Sequence, residues 1–314
     1  MLELPFFKEL DKAKNILIAG MGGGFDVFCG LPLYFGLKAQ GKQVHLANLS
    51  FSFLPPLEDR LSPTMLAVTA DTPRFGDYFP EQFLCEWFRT QGEEVTIYCF
   101  ERTGVKPLLA AYETLVAELQ LDTILLVDGG TDSLMRGDEP GLGTPHEDIA
   151  SVTAVHQLSI PRKLMACLGF GVDTFHGVNH YYFLEAVAEL TKSGDYLGTF
   201  SLLQQMPEVQ QYRQAADYVF AAMSNHISIV SSSILSGLAG EYGDFHATPR
   251  TSGSQLWINP LMTLYWCFQL DAVAQRVLYL EEMKDTTDYM DVRQVIGYFR
   301  NQHRPHRQPK ILPA

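Results

Sequence analysis

The sequence predicts a three-layer α/β fold: a mostly parallel sheet with helices on both faces, followed by a helical C-terminal half. Three observations predict it. Short runs rich in Val, Ile and Leu recur along the first half and are apolar almost without interruption, as strands covered on both faces are. Amphipathic stretches separate them, and strand–helix alternation is the pattern of a parallel sheet between helices. The 314 residues contain no Gly-, Pro- or Ser-rich linker and no internal repeat, so residues 1–300 read as one α/β domain.

The strand-like runs are Asn15–Gly20 (NILIAG), Gln43–Ser50, Leu66–Thr69, Val95–Phe100, Thr123–Asp128 (TILLVD) and Lys163–Gly169. Helical patterns fall between them near Phe28–Ala39, Pro80–Gln91, Pro107–Gln120, Pro145–Leu158 and Val178–Leu190. Pro80, Pro107 and Pro145 suit a first helical turn, where a missing N–H is harmless, and Gly41 and Gly92 suit the position just past a helix end. From about Ser201 the pattern turns helical, with one strand expected around His226–Val230. The apolar stretch Leu261–Leu280 (LMTLYWCFQLDAVAQRVLYL), interrupted by Gln269, Asp271, Gln275 and Arg276, reads as a mostly buried helix beginning near Pro260. Residues 301–314 (NQHRPHRQPKILPA) are basic, contain proline and lack periodicity. They are expected to lie as a tail on the surface or on a partner subunit.

Thirty-six acidic residues against 23 basic ones give a formal net charge of −13 with no basic block. Such a chain repels phosphates at long range, so nucleic acid and anionic membrane surfaces are disfavoured as partners. Five scattered cysteines without a CxxC pair read as reduced thiols in apolar segments, not a disulfide framework or zinc knuckle. No basic-then-apolar leader and no uninterrupted apolar stretch of about 18 residues is present, so a cytoplasmic protein is expected. A homo-oligomer is expected on the commonness of symmetric assembly alone.

Four segments can carry chemistry. The first is the turn after the first strand, Ile18-Ala-Gly-Met-Gly-Gly-Gly-Phe-Asp26, where Gly22, Gly23, Gly24 and Asp26 can meet a phosphate or ribose as the glycine loops of dinucleotide folds do. The fingerprint is incomplete: Phe25 stands at the third glycine, and Leu46-Ala-Asn-Leu-Ser50 ends the second strand without an acidic residue for a ribose. NAD is therefore disfavoured, another nucleotide remains compatible, and the plain alternative is a tight turn with Asp26 capping a helix. Cys29, one turn on, can be an activated thiol or a packing residue.

The second segment, Leu126-Val-Asp-Gly-Gly-Thr-Asp-Ser-Leu-Met-Arg-Gly-Asp-Glu-Pro-Gly-Leu-Gly-Thr-Pro-His-Glu-Asp148, follows a buried strand. Asp128 and Asp132, across Gly129 and Gly130, can point into one crevice and hold Mg²⁺ or Ca²⁺, with Thr131 and Ser133 hydroxyls assisting. They can equally divide acid and base roles, while Arg136 and His146 meet a substrate. The plain alternative is a turn whose acids are solvated or cap the next helix. The third segment, Gly169-Phe-Gly-Val-Asp-Thr-Phe-His-Gly-Val-Asn-His180, offers His176 as a proton-transfer residue oriented by Asp173. His176 and His180 share a face if a helix has begun, and His180 can instead pack at the helix start. In the fourth, Gly240–Ser254, Asp244, His246 and Arg250 can close over the site and meet an anionic substrate, or form an ordinary surface loop.

The GGGFDV turn together with the DGGTDSLMRGDE run resembles an uncharacterised bacterial and archaeal family, domain of unknown function 1152, over most of residues 10–300. The resemblance implies a cytosolic Rossmann-like protein with the two loops as shared features, and no activity. The Asp-rich run is also similar to the calcium-binding acidic turn of nucleoside hydrolases, although in that family the turn follows the first strand and here it follows a later one. The residues together point to an enzyme that hydrolyses or transfers a group on a small phosphorylated or ribosylated metabolite. A subunit that binds such a ligand without turnover and a nicotinamide oxidoreductase are the competing readings.

Overall fold

The computed structural model describes residues 3–55 and 60–312. Its first half runs α1 (Pro5–Asp11), β1 (Asn15–Gly20), α2 (Asp26–Cys29), α3 (Leu31–Ala39), β2 (Gln43–Leu49), β3 (Met65–Val68), α4 (Pro80–Thr90), β4 (Ile97–Phe100), α5 (Val105–Glu118), β5 (Thr123–Asp128), α6 (Pro145–His156) and β6 (Arg162–Leu168). The second half runs α7 (His180–Ser193), β7 (Tyr196–Ser201), α8 (Pro207–Ala222), α9 (Ile229–Ala239), β8 (Gly243–Asp244), β9 (Trp257–Ile258), β10 (Leu264–Gln269), α10 (Leu270–Arg276), α11 (Leu280–Met283) and α12 (Tyr289–Gln302). Pro80, Pro107 and Pro145 all sit in first helical turns, and Gly41 and Gly92 both take φ +80° just past their helices.

Eight strands make one sheet in the order β3-β4-β2-β1-β5-β6-β10-β7. β4, β2, β1, β5 and β6 are parallel, β3 is antiparallel to β4, and β10 is antiparallel to both β6 and β7. Successive side chains of a strand face opposite ways, so each central strand feeds two cores. Ile16 and Ile18 of β1, with Leu125 and Val127 of β5, join α3, α4 and α8 on one face. Leu17, Ala19, Ile124 and Leu126 join α5, α6, α10 and α12 on the other. Full burial of one such aliphatic side chain contributes about 1.5–3 kcal/mol, so both faces must be apolar and the run reads as unbroken.

The chain steps from β1 toward β2 and β4 on one side, then returns to place β5 and β6 on the other. The loops leaving the carboxyl ends of β1 and β5 therefore diverge and open a crevice between them.

Two expectations for the second half are corrected. His226–Val230 is a turn into α9, whose first turn is capped by the Ser228 hydroxyl accepting from the Ser231 amide at 3.1 Å. Leu261–Leu280 is not one helix. Tyr265 and Cys267 enter one core and Phe268 the other, so the aromatic half is strand β10, and the helical half begins only at Leu270. β7, unanticipated, pairs with β10 through a register shift beside Gly198, which takes φ +112°. The tail lies on the chain's own surface. The Arg307 amide donates to the Asp138 carbonyl at 2.9 Å and its guanidinium covers the Tyr182 ring at 4.1 Å, while residues 313–314 lie outside the described residues. No helix among the described residues is long and apolar enough to cross a membrane.

Candidate active site in the strand-switch cleft

The crevice is a cleft of about 630 Å³ lined by the loops after β1, β5 and β6, the first turn of α6, the turn before α9 and the start of α12. On the β1 side, the loop is held by the protein's own polar groups. Asn48, fully buried at the end of β2, donates from Nδ2 to the Gly24 carbonyl and to Glu81 Oε1, both at 2.8 Å, and its Oδ1 accepts from the Val27 amide at 3.3 Å. Where a dinucleotide fold needs a carboxylate for the ribose, this chain has a clasp for the glycine loop. The Gly22 amide is also taken, by Asp26 Oδ2 at 2.7 Å. Of the amides expected to cradle a phosphate, that of Gly22 is thus already bonded, and that of Asp26 donates to the Gly23 carbonyl at 3.3 Å. Gly23 and Gly24, both at positive φ, remain on the cleft wall with Phe51 packed against them.

Six acidic side chains form the floor: Asp26, Asp128, Asp132, Glu147, Asp148 and Asp173, every one less than a tenth exposed. Asp128 ends β5 and accepts from the Ser133 hydroxyl and, at 3.4 Å, the Ser133 amide. Asp132 is fixed through Oδ2 by the amide and hydroxyl of Thr144 at 2.8 and 3.2 Å, fitting over Gly143, where a side chain has no room. Asp173, fitting over Gly130 in the same way, accepts from the Thr131 amide at 2.6 Å. Among the described residues, only Glu147 has a basic group within 4.0 Å, Arg102 at 3.9 Å.

Burial disfavours the charged form, and neighbouring negative charges add to it. Burial, partly offset by the Gly22 amide and reinforced by Asp132, pushes the Asp26 carboxyl up to about 7. Burial and then the charge of Asp132 raise Asp128, Asp148 and Asp173 well above the carboxylate range. Burial also raises Asp132, against the pull of Thr144 and of His176, and Glu147, against its own backbone and Arg102.

The rim has the opposite character. Arg250, Arg293, His146, His176 and His226 line it, with the rings of Phe51, Tyr78 and Tyr289. His176 is exposed at the end of a 3-10 turn (Val172–His176), and Gly177 at φ +87° separates that turn from α7, so His176 and His180 do not share a helix. Arg250 donates to the Ile227 carbonyl at 2.7 Å.

The structure thus brings Gly22, Gly23, Gly24, Asp26, Asp128, Gly129, Asp132, His146, Asp173, His176 and Arg250 to one cleft. Gly130, Thr131 and Ser133 are buried just behind it and orient its carboxylates. Three residues named with these are turned elsewhere. Arg136 is engaged through two nitrogens by Asp138, at 2.9 Å each. His180 stacks on Phe170 at 4.7 Å, with burial lowering its basicity. His246 is held between Thr251 Oγ1 at 2.7 Å and Asp244 Oδ1 at 3.2 Å. Asp173 faces Thr131 and does not orient His176. Cys29 is fully buried and its thiol is pushed well up by burial and then by Asp26, which removes the activated-thiol reading. Sequence reasoning missed Phe51, Tyr78, His226, Tyr289 and Arg293. Only the four-residue spacing of Tyr289 and Arg293 on one helix hinted at a shared face.

Fold and site define a Rossmann-like α/β protein with an acidic cleft where its strand order reverses. A family model described as protein of unknown function (DUF1152) matches residues 59–299, and the chain belongs to that family. The match takes in the DGGTDSLMRGDE run and begins after the glycine loop. No curated protein matches the sequence.

Proposed function

We propose that the cleft is the active site of an enzyme that hydrolyses or transfers a group at a phosphate or glycosidic centre of a small phosphorylated or ribosylated metabolite. The layering of the cleft supports this: a floor of buried carboxylates, all but Glu147 without a basic group within 4.0 Å among the described residues, lies under a rim of guanidinium, imidazole and aromatic groups. Arg250 and Arg293 supply donors for an anionic group, and Phe51, 43% exposed, offers a flat apolar face to a ring. The floor alone would repel phosphate; a hard divalent cation, Mg²⁺ or Ca²⁺, held there would offset that charge and polarise the reacting oxygen. His176 moves the proton at a ring nitrogen, beside the negative charge of Asp132, whose position Thr144 fixes.

The test is incubation with nucleotides, nucleosides and sugar phosphates, with and without Mg²⁺ or Ca²⁺, reading free phosphate and free sugar. Turnover that falls by about 100-fold or more in Asp132→Asn and in His176→Ala agrees with the roles given. A ligand bound tightly and returned unchanged after long incubation would replace catalysis with sensing. For a nicotinamide oxidoreductase, with Asn48 buried as a clasp, the account expects no fluorescence change on titration with NAD(H) or NADP(H).

A further inference from the structure

The cation ligands expected from the sequence were Asp128 and Asp132, yet three elements converge on a group that shares only Asp128 with that pair. Asp26 opens α2, Asp128 ends β5 and Asp148 lies in the first turns of α6, and one carboxylate oxygen from each lies within 4.8 Å of the other two. Glycine makes the convergence feasible. A Cβ on Gly22 would stand 2.5 Å from Asp148 Oδ1 and 2.7 Å from Asp26 Oδ2, and one on Gly129 would stand 2.5 Å from Asp26 Oδ1. The two glycines are bare so that the carboxylates can close over them.

A second, independent observation points to a ligand. Asp148 is 2% exposed, and its Oδ1, aimed at Gly22 and Asp26, has no hydrogen-bond partner. A buried carboxylate oxygen left unpaired is expensive, and neighbouring anions compound it. Among the described residues no Lys or Arg lies within 4.0 Å of the three to compensate, although the chain pairs Asp138, Asp71 and Asp285 with such groups. Two of the three carboxylates are oriented by neighbouring donors: the Gly22 amide holds Asp26 and the Ser133 hydroxyl holds Asp128, as outer-shell donors orient metal ligands. Asp132 is differently placed: Thr144 holds its Oδ2, and it stands outside the group of three whose oxygens lie within 4.8 Å of one another.

We propose that Asp26, Asp128 and Asp148 ligate one hard divalent cation, of the Mg²⁺, Mn²⁺ and Ca²⁺ class, through one carboxylate oxygen each. All three donors are oxygen, with no thiolate or imidazole among them, which sets the site apart from those that favour Zn²⁺ or Cu²⁺. The site refines the cation part of the reading above, but its test reads binding alone. Failure to find turnover leaves it standing, and its own failure leaves the cleft to metal-free acid–base chemistry.

The experiment is calorimetric titration of the chelator-treated protein with Mn²⁺, competed by Mg²⁺, Ca²⁺ and Zn²⁺, for wild type, Asp148→Asn, Asp26→Asn and Asp132→Asn. Folding is checked by thermal melts without metal, and Asp26→Asn serves should Asp148→Asn fail to fold. The account expects one saturable Mn²⁺ site in wild type, weakened by at least about 30-fold in Asp148→Asn and in Asp26→Asn and by no more than about 3-fold in Asp132→Asn. Absence of saturable Mn²⁺ binding at millimolar concentration, wild-type affinity in Asp148→Asn, or an equal loss in Asp132→Asn would each overturn it.

Discussion

The acidic run from Asp128 to Asp148 splits into two regions that treat the same chemistry in opposite ways. At its middle, Asp138 is clamped by Arg136, and Glu139 by the amides of Arg136 and Gly137. Around them Arg300, from α12, donates to the carbonyls of Gly137, Glu139 and Pro140. Burial would raise the Asp138 carboxyl, but Arg136 and Arg307 together hold it below its ordinary range. At its two ends the carboxyls of Asp128, Asp132 and Asp148 are buried, are raised by that burial above their ordinary range, and meet no guanidinium. The paired centre is scaffold that fixes the loop on α12, and the unpaired ends are where the protein keeps negative charge in reserve. Function is more often found where a polar group's needs are left unmet than where polar groups are merely dense.

The contrast breaks most readily at Arg300. Its replacement by Ala leaves three carbonyls without a charged donor, and a loss of about 2–3 kcal/mol in denaturant unfolding is expected. An unchanged midpoint would mean that the centre of the loop is not held from α12. At Asp148 the sign reverses. Asn removes a buried charge, and its amide can donate to neighbouring carboxylates, so the metal-free variant should gain about 1–2 kcal/mol. A destabilised Asp148→Asn would show that the floor is structural after all. Asp138→Asn should go the other way by a smaller step, about 0.5–1 kcal/mol, because its pair with Arg136 is partly exposed.

The smallest effect belongs to Glu81, fully buried behind the glycine loop and raised by burial against the donors Asn48, Ser50 and Ser52. An acid raised in the folded state loses stability as pH climbs from its ordinary value of 4.5 toward the folded one. Wild type should therefore match Glu81→Gln below about pH 4 and fall progressively behind it toward neutrality, read as the difference in melting temperature. A gap independent of pH would mean that Glu81 keeps its ordinary value of 4.5 in the fold.

What the sequence revealed followed from how local each cause is. β1 and β5 were legible to the residue because both faces of NILIAG and TILLVD are buried and nothing interrupts them. β10 was not, because LYWCFQ runs straight into the helix-forming LDAVAQR with no Gly or Pro between, and periodicity cannot separate two adjoining buried elements. β7 is a partly exposed edge strand with a glycine in it, which weakens the pattern further. In the site, the loops after β1, β5 and β6 were found by their polar density. The sorting of their side chains was not, since it depends on which of several partners, near or far in sequence, each one takes. Asp148 meets Gly22 from the far end of the run, while Arg136 and His246 are drawn off by Asp138 and Asp244, only two residues away in sequence. Arg293 and Tyr289 reach the rim from α12, beyond anything a local pattern carries.

The account turns on whether the unpaired end of this acidic run closes on a cation. The most direct measurement is anomalous diffraction from crystals grown with Mn²⁺. The account predicts one peak about 2–2.5 Å from an oxygen of each of Asp26, Asp128 and Asp148, the range for hard cations on oxygen. A floor without a peak, or a peak on Asp132 and Asp173 instead, would contradict it.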